Sequence, residues 1–382
     1  MIIQTLDFEN NCHGAFFKNR FIFDRDTIDQ SLQETSYSWT YSPVFAEYEK
    51  NIVFLSLYSD NGRFETLSSA SADQLNQIRS YEQMIKAQKL AAVTAKVDIR
   101  KGCFFDLLPD HMMSKWFSCR EDIIRESAKR LSAPSHYDIL HKIHVITQEI
   151  ARQKITFSDS ERKIKYDIFS SSTGRLATKR GSFPILNISK EERKNLLPKN
   201  DVFLEIDLNG AEVRTLLSLS GQPQPNYDIH EFNREIIKQS SKSRKEVKAK
   251  FFAWLYNPEA KDKNLEKFYD KRAYEKHYEN GRIKTPFGRK LETDERRALN
   301  YLTQSTTSDI VLNSCYNIMN LLRGKKSFVA FTMHDSVVLD FAQSEHHLVA
   351  PLKKEFEKNM FGEFLSTVSI GKNYGEMRRV KI

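Results

Sequence analysis

Arg244-Lys245-Glu246-Val247-Lys248-Ala249-Lys250-Phe251-Phe252-Ala253-Trp254-Leu255-Tyr256 sets Arg244, Lys248, Phe252 and Tyr256 four residues apart. On a helix that spacing draws them into one slowly drifting stripe. The stripe is cationic at its N-terminal end and aromatic at its C-terminal end. It complements a ligand with phosphates at one end and a flat ring at the other, because Arg and Lys pair with phosphate oxygens and aromatic faces stack on bases. The same positions also suit an ordinary amphipathic helix with a solvated basic face. The rest of the chain has to decide between the two.

A chain of 382 residues is long enough for two or three domains and a substantial core. Its hydrophobic fraction of 40% and aromatic fraction of 12% belong to a folded protein. Lys and Arg total 59 against 50 for Asp and Glu, a net charge of +9. With so large an acidic minority, the positive charge is expected to concentrate in a groove, which suits a polyanion. Cys12, Cys103, Cys119 and Cys315 are scattered without C-x-x-C spacing, so neither a zinc site nor a disulfide framework is expected, and a reducing compartment is the default. Asp7 and Glu9 arrive too early for a secretory signal, and no apolar run approaches the ~18 residues of a membrane span. The expectation is a cytoplasmic, monomeric protein with no membrane partner.

Residues 1 to 110 read as mixed α/β. Ile52-Val53-Phe54-Leu55-Ser56-Leu57-Tyr58 is strand-like, and Asn61-Gly62 reads as a hairpin turn into Arg63-Phe64-Glu65-Thr66. Residues 72–90 are helical in character. Ile123, Ile124, Ala128 and Leu131, then Ile139, Leu140, Ile143, Ile146 and Ile150, recur at helical spacing on either side of Pro134, which predicts a helical hairpin. Val202-Phe203-Leu204-Glu205-Ile206 is a strand ending at Asp207. A long charged helical region is expected over 226–321, interrupted near Thr285-Pro286-Phe287-Gly288. Residues 327–331 and 337–341 read as two strands around a tight His334-Asp335 connection.

Asp207 at a strand end and Asp335 at a hairpin tip stand where metal ligands are often placed. Two carboxylates holding a pair of Mg²⁺ ions serve in-line phosphoryl chemistry. Asp207-Leu208-Asn209-Gly210-Ala211-Glu212-Val213-Arg214 resembles motif A of the family-A DNA polymerases, the DNA polymerase I type. Arg244, Lys248, Phe252 and Tyr256 match that family's motif B, and His334-Asp335 matches the core of motif C. Thr173-Gly174-Arg175-Leu176, Asn187-Ile188, Asp228-Ile229-His230, the helix Glu295-Arg296-Arg297-Ala298-Leu299-Asn300 with Gln304 and Asp309, and the closing Gly371-Lys372-Asn373-Tyr374 also resemble family elements, in consistent order over 170–382.

The resemblance implies an α+β right-hand polymerase with a palm sheet, helical fingers and a short helical thumb, plus a small N-terminal α/β domain. Its boundaries would be 1–110 for the N-terminal domain, 111–170 for the thumb, 171–225 and 323–382 for the two parts of the palm, and 226–322 for the fingers. The implied activity is template-directed extension of a primer 3′ end with dNTPs, using two Mg²⁺ ions with Mn²⁺ as a substitute. Asp207, Asp335 and the Leu208 carbonyl would hold the metals. His230, Arg244 and Lys248 would supply positive donors to the triphosphate, with Lys248 protonating the departing pyrophosphate. Phe252 and Tyr256 would pack on the nucleotide and template base, and Glu212 would crowd the ribose 2′ position. Arg175, Arg296, Asn300, Gln304 and His334 would contact the DNA primer-template.

The chain departs from the family pattern in several places. Motif C, H-D-E in the family, reads His334-Asp335-Ser336. Ala253 replaces the glycine after the motif B aromatic, and Asn209-Gly210 replaces a Ser-Gln pair, which would remove a polar side chain near the minor groove. Asp7-Phe8-Glu9 offers the D-x-E triplet of a proofreading nuclease without later acidic partners, so a reduced remnant or a DNA-clamping module is expected for residues 1–110. Two alternatives remain: a polymerase fold that binds primer-template without extending it, for which Ser336 speaks, and a single-subunit RNA polymerase. Glu212 and Phe252 argue against the second.

Overall fold

The computed structural model describes residues 1–6, 12, 14–99, 103–238, 243–257 and 259–382. The Asp7-Phe8-Glu9 triplet therefore lies outside the described residues. The chain divides into two compact units, Met1–Arg152 and Gln153–Ile382. Helix and sheet are mixed in both. Among the described residues no helix is long and apolar enough to cross a membrane.

The first unit opens on an antiparallel sheet of Ile3–Thr5, Ala15–Phe17 and Arg20–Ile22. Helix α1 (Arg25–Gln33) begins where the Asp24 carboxylate accepts from the Thr27 amide. Helix α2 (Ala72–Thr94) begins at a Ser71–Gln74 capping box. Helices α3 (Asp110–Arg130) and α4 (Tyr137–Arg152) flank Pro134, as the periodicity predicts. Both cluster with residues 1–110 rather than standing apart from residue 111 onward. Helix α4 is tied to the segment before α2: the Tyr41 amide donates to His144 Nε2 (3.2 Å), and the Phe54 amide donates to Tyr137 Oη (3.0 Å). Phe16, Trp39, Phe64, Trp116 and Phe117 build the core, with Trp39 and Phe64 stacked at 3.7 Å.

Two expectations fail in this unit. The strand predicted over 52–58 shrinks to Val53–Phe54, and Leu55–Tyr58 and Phe64–Thr66 are 3₁₀ turns, so no hairpin flanks Asn61-Gly62. Leu55, Ser56 and Leu57 are all buried, and consecutive residues cannot all face inward on a half-exposed strand whose faces alternate. The second failure concerns cysteine. Cys12 and Cys103, 91 residues apart, form a disulfide with Cα atoms 4.5 Å apart. Short-range spacing carries no information on such a pair, and the inferred reducing compartment loses its support. Cys119 and Cys315 are free and buried. Alkylation in denaturant without reductant should therefore label two thiols by mass spectrometry, rising to four after reduction. Opening a loop of this length should lower stability by about 4–5 kcal/mol.

The second unit is organised by a five-stranded sheet: β1 (Val202–Leu208), β2 (Phe328–Met333), β3 (Ser336–Phe341), β4 (Ser366–Gly371) and β5 (Arg378–Val380). Their order is β2-β3-β1-β4-β5, and every pairing is antiparallel. On central β1 only Glu205 and Asp207 escape full burial. Strand alternation sets these two on one face. Packed with the sheet are α8 (Glu295–Leu321) and α9 (Val349–Glu357), and α5 (Ala211–Leu219) packs on α8. Helix α8 is buried almost all round in its middle, as befits a helix at the centre of a unit.

Between β1 and α8 lie α6 (Ile229–Ile236) and α7 (Arg244–Tyr256). The helical region expected as far as residue 321 is broken more extensively than predicted. Tyr278–Glu279, Arg282–Lys284 and Lys290–Glu292 form a small antiparallel sheet. Asn280 and Gly281 both take positive φ, +50° and +73°, the requirement of a tight hairpin turn. Ile283 is buried between exposed Arg282 and Lys284, which is strand periodicity. Its many charged neighbours disguise that pattern as a solvated helix.

Candidate active site

The sheet register brings the two aspartates together. Asp207, at the end of β1, pairs with Ser336, and the Leu208 amide donates to the Asp335 carbonyl at 3.1 Å. Burial, then the neighbouring Asp335 and Glu205 charges, push Asp207 up to about 7; Lys248 and Arg379 pull the other way. Asp335 is likewise raised, first by burial, with His334 and Lys248 opposing. Neither carboxylate has a salt-bridge partner among the described residues. Two half-buried, mutually repelling carboxylates are a donor set that a hard divalent cation satisfies. No group of three His, Cys, Asp or Glu converges into a ready metal cage among the described residues.

Helix α7 has one face in the core and its stripe outside it. Its core face is Val247, Phe251, Trp254 and Leu255, packed with Val213, Leu217 and Ile229. The stripe turns away from that core: Arg244, Lys248 and Tyr256 are exposed and Phe252 is half-buried. Phe252 and Tyr256 stack with centroids 5.7 Å apart, and Lys248 Nζ lies 5.9 Å from the Phe252 ring centre. Lys248 acts electrostatically on Asp207, Asp335 and His230. A Ser243–Glu246 capping box begins the helix.

Glu212, on the first turn of α5, accepts from Tyr256 Oη at 2.9 Å and is salt-bridged by Arg175. Arg175 and His334 line one small cavity. Asn300 accepts from Gln304 Nε2 at 2.7 Å, and Gln304 bonds Tyr256. Arg296, Asn300 and Tyr256 line an open cleft of about 1170 Å³ together with Lys271, Arg272 and Arg297. Every site residue predicted from the sequence therefore lies in the second unit, and these contacts and charges link them. For Leu208 only the backbone is available, since its side chain is buried.

The segment behind the stripe differs from expectation. Gly210 takes φ +58°, and a Cβ there would meet Ile229 Cγ2 at 2.4 Å, so a larger residue is excluded. Asn209 faces inward: its Nδ2 donates to Asp228 Oδ2 (2.7 Å), and its Oδ1 accepts from the Ile229 amide (3.0 Å). Asp228 in turn binds Arg244 through Nε and Nη2 (2.8 Å for the latter). Burial raises the Asp228 pKa, but hydrogen bonds from Arg244, Asn209 and the Glu231 amide outweigh it and hold the carboxylate well below its usual range. Neither Asp228 nor Asn209 carried a role in the sequence reading.

His230, for which the resemblance implies a positive donor, is buried in the structure. It is 2% exposed, its Nδ1 has no hydrogen-bond partner among the described residues, and burial followed by the Arg244 charge lowers its pKa to about 4 against the pull of Asp228. It offers a neutral imidazole at pH 7. Below its ordinary value of about 6.5 the unfolded chain takes up a proton that the folded chain refuses, so this histidine costs stability as pH falls from 7 towards 4. His230→Gln should remove roughly 1–2 kcal/mol of the stability lost between pH 7 and 5. Urea titrations at the two pH values check this; an unchanged pH slope rejects it.

Paired carboxylates beside a cationic, aromatic-tipped helix face are chemically suited to phosphoryl transfer. No family model matches the chain. The chain is 37% identical over 100 residues to a DNA polymerase of Bacillus phage SP01, a match covering 23% of this chain and 11% of that one. It thus spans about a tenth of that relative's length. The polymerase domain of Pol1 from M. smegmatis, solved in complex with DNA primer-template and dNTP, matches with a TM-score of 0.46 at 15% identity, over 83% of this chain and 67% of that one. The phage match agrees in kind with the polymerase resemblance of the motifs.

Proposed function

We propose that this chain is a template-directed DNA polymerase that extends a primer 3′ end with dNTPs, the second unit forming palm and fingers of a right-hand fold. The observation that carries the reading is the meeting of Asp207 and Asp335 at one end of the sheet, within the electrostatic reach of Lys248 on the solvent-facing stripe of α7. Two Mg²⁺ ions bound at these carboxylates and the Leu208 carbonyl would supply the Lewis acidity that activates the primer hydroxyl and neutralises the leaving phosphate.

The chain's own residues supply the rest. Arg244 would exchange Asp228 for triphosphate oxygens, an inexpensive trade because its half-exposed ion pair is worth little in water. Lys248 would donate a proton to the pyrophosphate oxygen. His230, buried and neutral, would orient by a single N–H. Glu212, fixed between Arg175 and Tyr256, would occupy the space of a ribose 2′-hydroxyl and favour deoxynucleotides. Arg175, Arg296, Asn300, Gln304 and His334 would lie along the duplex end.

A labelled primer-template, Mg²⁺ and either dNTPs or NTPs test the reading. Extension with dNTPs and little with NTPs is expected; a protein that binds the duplex without extending it refutes the proposal.

A further inference from the structure

Ser336 stands where the resembled motif C carries glutamate, and a different carboxylate, Glu205, lies against it. Asp207 and Ser336 are register partners, so their side chains share a face of the sheet with Glu205, two residues earlier on β1. Ser336 Oγ donates to Glu205 Oε1 at 2.9 Å, and Tyr374 Oη donates to the same oxygen at 3.2 Å. Tyr374 is itself packed against Phe203 and Phe331. Both donors take one oxygen, and Oε2 has no hydrogen-bond partner among the described residues. A carboxylate on a central strand, with neighbours that fix one oxygen, is held in place, and the Arg193 charge acts on it from nearby.

We infer that Glu205 is the third carboxylate of the candidate metal site, transferred across the β1–β3 pair from the position now held by Ser336. This rests on the polymerase reading. The three carboxylates do not form a closed cage, so Glu205 acts as a positioning residue: its charge strengthens the hold of Asp207 and Asp335 on a cation, through water. Outer groups of this kind typically govern metal affinity by 10–100-fold. A serine at 336 is then the necessary complement of a glutamate at 205, since two carboxylates could not share that narrow space without repulsion.

Manganese binding to the nucleotide-free protein, followed by electron paramagnetic resonance, separates this role from a structural one. Glu205→Gln keeps size and can still accept from Ser336 and Tyr374, but it removes the charge. It should weaken Mn²⁺ binding on the order of tenfold and raise the Mg²⁺ concentration needed for extension in proportion. The exchanged variant Glu205→Ser/Ser336→Glu returns the charge to the other strand and should recover binding to within about threefold of the wild type. Wild-type Mn²⁺ affinity in Glu205→Gln overturns the inference, as does an exchanged variant that melts like the wild type yet binds as weakly as Glu205→Gln. Extension by the wild type, and its loss in Asp335→Ala, report separately on the polymerase reading.

Discussion

Asp207→Ala should lower primer extension by about 10³-fold or more while leaving duplex binding almost unchanged. In the proposed mechanism Asp207 and Asp335 would hold the cations that stabilise transition-state charge, a contribution of several kcal/mol, and each 1.36 kcal/mol is a factor of ten. The duplex contacts would be made by Arg175, Arg296 and Asn300, none of which depends on Asp207. The same substitution should raise the melting temperature in the absence of divalent ions. Asp207 is half-buried beside Asp335 and its pKa is raised, so ionisation above the ordinary carboxylate range costs the folded state stability. That gain should be full at pH 8 and vanish near pH 3, where the carboxyl is protonated in folded and unfolded chains alike. A residue that merely supported the fold would show the opposite sign. Full extension by Asp207→Ala would sink the metal assignment.

Arg289→Ala should destabilise the protein by about 3–5 kcal/mol. The Arg289 side chain is 6% exposed and that of Asp309, its ion-pair partner at 2.7 Å, is 0% exposed. Arg289 also donates to the Gly174 carbonyl (2.9 Å), and Thr285 Oγ1 donates to Asp309 Oδ2 (3.2 Å). Truncating Arg289 leaves a buried carboxylate with one hydroxyl for company and frees the loop that carries Arg175. The closeness of that loop is fixed by Gly174, where a Cβ would lie 2.4 Å from the Arg289 guanidinium. Urea denaturation gives the stability; replacing both partners with apolar residues should recover much of it, because a buried pair stabilises little over a hydrophobic one. A loss below about 1 kcal/mol in Arg289→Ala would show that the pair is solvated.

What could be read in advance was chiefly local. The stripe on α7, the helical hairpin around Pro134 and the strand ending at Asp207 follow from spacings of two to four residues. Glu205 had a readable signal, since a residue two before Asp207 on a strand shares its face, but nothing in the sequence tied it to Ser336. Arg289 looked like one more charge after the Thr285-Pro286-Phe287-Gly288 break, and its burial became visible only with Asp309 beside it. The small sheet over 278–292 was masked by charged flanks, although Asn280-Gly281 marked its turn.

The sequence by itself determined the chemical groups, their order and the helical stripe, because 3.6-residue periodicity acts within one element. Tertiary structure alone decided that Asp207 meets Asp335, that Ser336 holds Glu205, that Cys12 joins Cys103 and that the stripe on α7 faces outward. Each of these depends on strand register or on which face of an element finds a partner. Register is set by burying one side of a strand against residues more than a hundred positions away, and such information resides in the assembled core rather than in any local run of residues.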